Sequence, residues 1–255
     1  GVNTAALLSG NADILLGAPG QTMKVQVQNQ PLKLIAGLVN KYASNIVVNK
    51  KILDKLGVSE ASSFEEKALA RKALKMGPTG PGGGPDNMLR DMMDKVGINP
   101  DKEAELTAVQ GGGKGLLAAM QLNVIDGFCL SSPTADIAIK QFGAAYLFNM
   151  ASNPPKELED YLYISVAVSE DAIKTKRAQL VNYVKGLAMA QKAINSDPEA
   201  FTTWALNWFQ GIDPDVLERA FARHSQTSQA DRLGCQSASR SKRNTVWKSG
   251  PEPCP

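Results

Sequence analysis

Thr79-Gly80-Pro81-Gly82-Gly83-Gly84-Pro85 is the stretch whose residue types are best suited to receive a ligand. Glycines let a ligand approach the backbone, and a helix opening directly behind them turns free N–H groups toward an anion. One such interaction contributes ~0.3–1 kcal/mol when exposed and up to ~2 when partly buried. No Gly-Lys-Ser/Thr follows, and the glycines do not fit the G-x-G-x-x-G spacing of dinucleotide loops. A plain strand-to-helix turn is the competing reading. Proline at both ends around three consecutive glycines favours ligand contact, at Thr79, Gly80, Gly82, Gly83 and Gly84. Strand ends are where open α/β sheets collect ligands. Ser131 and Ser132 stand at one such end, Gly17, Ala18 and Pro19 at another, and Asn40 and Tyr42 follow a third. Gly111-Gly112-Gly113-Lys114-Gly115 is a weaker second glycine cluster.

Catalytic signals are absent. No G-x-S-x-G nucleophile elbow occurs, and the single histidine, His224, has no Cys, Asp or Glu at ligand spacing. We therefore expect no catalytic residue, no metal and no cofactor. Asp13 and Asp126 could be taken as paired carboxylates, but they occupy equivalent strand entrances, which argues for one structural task done twice. Cys129 lies in an apolar strand as a small buried side chain; Cys235 and Cys254 could pair, though nothing requires it.

The elements that position these residues come as a repeat. Ala5 to Ile14 reads as a helix end, a tight turn and an entering strand; Ala118 to Gly127 repeats it, and both strands run on to a proline, Pro19 and Pro133. Gly10 and Asn123 fall at equivalent points just past a helix, and these two residue types best tolerate a left-handed turn there. Short apolar strands are expected at Ile14 to Leu16, Leu32 to Leu38, Ile46 to Val48, Leu74 to Met76, Leu106 to Val109, Phe128 to Leu130 and Tyr161 to Val168. Helical spacing covers about Asp86 to Val96, stopped by Gly97, and Leu180 to Ile194, ended by Asp197-Pro198. Phe201, Trp204, Ala205 and Trp208 form a stripe expected to face the core, and Asp213-Pro214 opens a last helix through Phe221. Two α/β lobes with a cleft between them follow, residues 1–49 with 161–225 forming lobe I and 50–160 lobe II. The remaining 226–255 is an irregular basic tail.

The chain has 255 residues and 43% hydrophobic content, and no apolar run approaches the ~20 residues of a membrane span. Its net charge of +3 is misleading. Residues Arg223 to Pro255 alone carry +4, which leaves −1 for the body and removes the basis for a nucleic-acid partner. The opening at Gly1, inside an apparent helix start, leads us to expect a missing N-terminal segment.

With both lobes laid out, three stretches resemble the solute-binding proteins of ABC transporters in the nitrate/sulfonate/taurine/thiamine-precursor group. They are Ala6 to Asp13, Met76 to Gly82 and Ala119 to Phe128, where Asn123 stands in place of the family's usual glycine. Ala190 to Ile194 with Asp197 to Ala200 is also similar to it. The resemblance covers about Gly1 to Phe221. It implies the type II periplasmic-binding fold, two lobes closing on a hinge, with the first lobe N-terminally truncated. It further implies a monomer that captures a small anionic solute, delivers it to a membrane permease, and works in the periplasm or outside the cell in association with the membrane. An enzyme of pyrimidine or thiamine-precursor synthesis on the same fold, or the effector domain of a regulator, is the competing reading.

Overall fold

A computed structural model describes residues 2–158 and 161–225; the expected tail, 226–255, lies outside the described residues. The chain forms α1 (Val2–Leu8), β1 (Ile14–Gly17), α2 (Pro19–Gln26), β2 (Leu32–Val39), β3 (Ser44–Asn49), α3 (Lys50–Leu56) and α4 (Phe64–Ala70). Then come β4 (Lys75–Gly77), α5 (Gly84–Asp94), β5 (Glu105–Leu106), α6 (Gly112–Gln121), β6 (Gly127–Ser131), α7 (Thr134–Phe142) and β7 (Ala144–Phe148). The return consists of β8 (Ile164–Ser169), α8 (Glu170–Thr175), α9 (Arg177–Ser196), α10 (Pro198–Trp208) and α11 (Pro214–Ser225).

The strands form two sheets, which define two lobes. The smaller has the order β1-β8-β2, with β8 antiparallel to both neighbours. The larger has the order β5-β4-β6-β3-β7, in which β4 is parallel to β5 and β6, and β3 is antiparallel to β6 and β7. Residues 40–43 lead from β2 of the smaller sheet to β3 of the larger, and residues 149–158 and 161–163 belong to the return from β7 to β8. The first crossing thus falls before Ser44 rather than after Asn49, because β3 hydrogen-bonds into the five-stranded sheet.

Burial explains the strand composition. From Ser44 to Val48 every residue of β3 is buried, since the strand is covered on both faces. Ile46 and Val48 pack with Leu53, Leu74, Met76, Leu89, Met92 and Cys129 on one side. Val47 packs with Leu116, Met120, Ile125, Phe128 and Ala138 on the other. In the smaller lobe Leu7, Leu15, Leu32 and Ala167 form one layer, and Val168, Ala172 and Leu180 the other.

The repeat is real and longer than expected. Gly10 and Asn123 are both left-handed, at φ 75° and 57°. Pro19 and Pro133 do not merely end strands: each opens a helix, α2 and α7. The two carboxylates hold the strand entrances, as expected, through different partners. Asp126 accepts from the Lys75 amide at 2.8 Å, whereas Asp13 pairs with Lys176 Nζ at 2.6 Å. The strand expected over Leu106 to Val109 shrinks to Glu105–Leu106, although the Thr107 and Val109 amides still donate to Met76 and Pro78 carbonyls.

One expectation is overturned. The aromatic stripe of α10 does not face the core, for Trp204 and Trp208 are 53% and 68% exposed. Ala205 is the residue that packs inward, toward α11 with its buried Val216, Leu217 and Ala220. Trp204 lies roughly 100° around the helix from Ala205, so shared periodicity marked a face without fixing which way it pointed.

Candidate functional site

All the sequence-picked residues lie on the edges where the two sheets meet the crossings. In the larger lobe β4, β5 and β6 run parallel, so the C-terminal ends of all three fall on one edge. There they feed the N-termini of α5, α6 and α7, giving three sets of helix N–H groups along one rim. Gly113 in the first turn of α6 abuts α7; a Cβ added there would meet Thr134 Oγ1 at 2.5 Å. Ser131 ends β6 opposite Ser44. Ser132 follows, its hydroxyl buried without a hydrogen-bond partner among the described residues.

Across from this rim, Gly17 ends β1, Ala18 precedes α2 in an extended conformation, and Pro19 is the first helical residue. The Gly17 carbonyl accepts from Ser165 Oγ at 3.1 Å, and Ser165 lies at the start of β8, just after the second crossing. This group joins the others through β8.

The crossings bind the two edges together through tyrosines. Tyr42, 1% exposed, donates to the Gly84 carbonyl at 3.0 Å. Tyr163 shares a 2.6 Å hydrogen bond with Ser44 Oγ, and its amide donates to Val39. The ring centroids of Tyr42 and Tyr163 are 4.7 Å apart, and those of Tyr42 and Tyr161 5.5 Å. A Cβ at Gly84 would come within 3.9 Å of the Tyr163 ring. Burial pushes the Tyr42 phenol far above its ordinary range and raises that of Tyr163 as well, so both stay neutral. Asn40 lies half-buried at the start of the same crossing. Sequence reasoning missed Tyr161, Tyr163 and Ser44; the alternation Tyr161-Leu162-Tyr163-Ile164 was the available signal.

The glycine loop differs from expectation in its electrostatics. The Gly82 amide donates at 2.7 Å to Asp86 Oδ2, a carboxylate only 3% exposed. Asn87 Nδ2 bonds the Gly82 carbonyl at 3.2 Å, and the Gly83 amide reaches back to Gly80. Asp86 pairs with Arg90 at 3.1 Å, and Arg90 with Asp101 at 2.5 Å. An internal carboxylate thus already occupies part of the positive end of α5. Only Gly82 in this loop is left-handed, at φ 72°; Gly83 is extended at φ −73°. Lys41, half-buried between Asn40 and Tyr42, has no ion pair among the described residues. Sequence reasoning passed over it. Among the described residues no cluster of His, Cys, Asp or Glu could hold a metal ion.

Backbone amides and hydroxyls thus rim the junction where the chain passes from one sheet to the other. Solved structures share the architecture. The alkanesulfonate-binding protein SsuA from Xanthomonas axonopodis pv. citri, bound to MOPS, aligns with a TM-score of 0.66 at 17% identity, over 86% of this chain and 68% of that one. The periplasmic nitrate-binding protein NrtA from Synechocystis PCC 6803 aligns with a TM-score of 0.65 at 16% identity, over 86% and 59%. The fold is the α/β fold of periplasmic binding proteins. The profile of the NMT1-like family matches residues 4–206, and the chain belongs to that family. The nitrate/nitrite binding protein NrtA of Nostoc sp. is 36% identical over 200 residues, 74% of this chain. The chain spans 43% of the length of that relative.

Proposed function

We propose that the protein is the solute-binding component of an ABC importer, capturing a small anion between its lobes for delivery to a membrane permease. The observation that carries this reading is the convergence of four helix N-termini, those of α2, α5, α6 and α7, on the junction of the two crossings. Their amides, the hydroxyls of Thr79, Ser131 and Ser132, and the Lys41 ammonium offer an anion several donors in a chain body of net charge −1. Membership of the family and the named ligands of the relatives, nitrate and alkanesulfonate, support an anionic solute. Because Asp86 fills part of the α5 terminus, the anion sits toward α6 and α7, with Gly17 to Pro19 closing from the other lobe. The crossings act as the hinge, since only the closed state makes both sets of contacts. In this reading the protein works beside the permease, outside the cytoplasm, as a monomer. Among the described residues no helix is long and apolar enough to cross a membrane.

Calorimetry and thermal shift with nitrate, nitrite and short alkanesulfonates test the reading. A cognate anion at ~100 times Kd adds ~2.7 kcal/mol of stability, and Lys41→Gln weakens it roughly tenfold. A screen in which no anion shifts the melting temperature, or in which Lys41→Gln leaves the affinity unchanged, refutes the assigned chemistry.

A further inference from the structure

From Phe201 to Gly211 the chain carries no charged residue, although this stretch forms most of a helix on the surface. Helices that face water ordinarily present charges there. Here the outward side chains are Thr203, Trp204, Asn207 and Trp208, with Phe209 37% exposed beside them. The two indoles stack at 5.6 Å with an interplanar angle of 18°, and Phe201 stacks on Trp204 at 5.7 Å and 28°. Phe221 of α11 closes the row edge-on to Phe201 at 5.1 Å. The adjoining side of the helix already holds it through Ala205, against the neighbouring helix that buries Val216, Leu217 and Ala220. Phe201 and Phe221 join the two helices, and the two indoles beyond them form an exposed, uncharged platform.

We infer that this platform docks on an anionic lipid surface. Indoles favour the headgroup boundary, where the ring leaves water and the N–H stays hydrated. Charge complementarity selects the lipid. The thirty residues that continue from α11 hold five Lys/Arg against two Asp/Glu, with Arg240, Lys242, Arg243 and Trp247 close together in sequence. Apolar insertion and a basic segment are the two signals that together give stable surface binding, where either alone is marginal. A second copy of the chain would cover the indoles but would offer the basic segment only more positive charge.

The 255-residue chain carrying Trp247→Phe keeps Trp204 and Trp208 as its only tryptophans. With vesicles of equal parts phosphatidylglycerol and phosphatidylcholine, we expect co-sedimentation, a blue shift of emission, and quenching by brominated acyl chains. With phosphatidylcholine alone the binding falls, as it does in raised salt. Trp204→Ala/Trp208→Ala weakens partitioning roughly tenfold or more while the far-UV circular dichroism is kept. Absence of sedimentation with the anionic vesicles overturns the proposal. So does binding without bromine quenching, or binding that survives the double substitution, since the basic segment would then act alone. A mass that doubles with concentration in light scattering, lost in the double variant and accompanied by no vesicle binding, assigns the platform to a second copy instead.

Discussion

Arg71 places a full charge in the core of the larger lobe. It is completely buried, one amino group donates to the Leu89 carbonyl, and its Nε and Nη1 have no partner among the described residues. Burial lowers its pKa to about 10 and pushes the neighbouring Cys129 thiol up to about 12. An unpaired buried charge costs more than a hydrophobic residue of similar volume. We predict that Arg71→Met raises stability by about 1–3 kcal/mol near neutral pH, measured by urea denaturation. The pH dependence supplies a second check. Cys129, raised from 9.0 on folding, contributes stability that is present below pH 9 and lost as pH climbs toward about 12. Arg71, lowered from 12.5, does the reverse: its cost is full below pH 10 and is relieved above it. The two oppose each other in the natural chain, so Arg71→Met leaves only the alkaline fall, beginning near pH 9. A variant less stable than the parent at neutral pH would show that an unrecognised partner compensates the guanidinium.

At the scale of elements, the start of α5 shows how a loop is set by one glycine and one carboxylate. Gly82 is left-handed and gives its amide to Asp86, whereas a Cβ at Gly80 would meet nothing within 4 Å. Gly82→Val is therefore expected to cost about 2 kcal/mol or more through backbone strain, and Gly80→Ala close to nothing. Melting temperatures decide between them, and equal effects would mean that the loop tolerates either conformation. The repeat of helix, turn and strand was legible because it needs a special residue, and Gly10 and Asn123 are the residues that serve. The glycine loop was legible for the same reason. Its carboxylate was not, because Asp86 reads as an ordinary first-turn acid until the chain folds it onto Gly82. Nor was the outward turn of Trp204 and Trp208, because helical spacing reports a shared face and only packing tells which side is covered. The missed α7 and β7 lie in a continuous run, Thr134 to Phe148, where Gly143 at φ 65° is the lone punctuation.

At the scale of the molecule, α11 reaches from the return segment to α7 of the larger lobe, and Lys140 binds it there to Asp213 at 2.8 Å and Asp215 at 3.1 Å. The Lys140 ammonium holds the Asp213 carboxyl below its usual range, so the contact persists in neutral solution and loosens only under strong acid. Exposed pairs of this kind contribute little to global stability but do restrain a local element. Lys140→Met is expected to speed hydrogen exchange in α10 and α11 while leaving β3 and β6 protected. Unchanged exchange in α10 and α11 would mean that Val216, Leu217 and Ala220 alone secure them. The connectivity of the two sheets also imposes an order in time. Every strand of the larger sheet comes from an unbroken stretch, Ser44 to Phe148. In the smaller sheet β1 and β2 never touch; both wait for β8, with Ile14 paired to Val168 across most of the chain. As the polypeptide leaves the ribosome, β1 is thus made long before β8, and it must be kept from other edges while the larger lobe is completed.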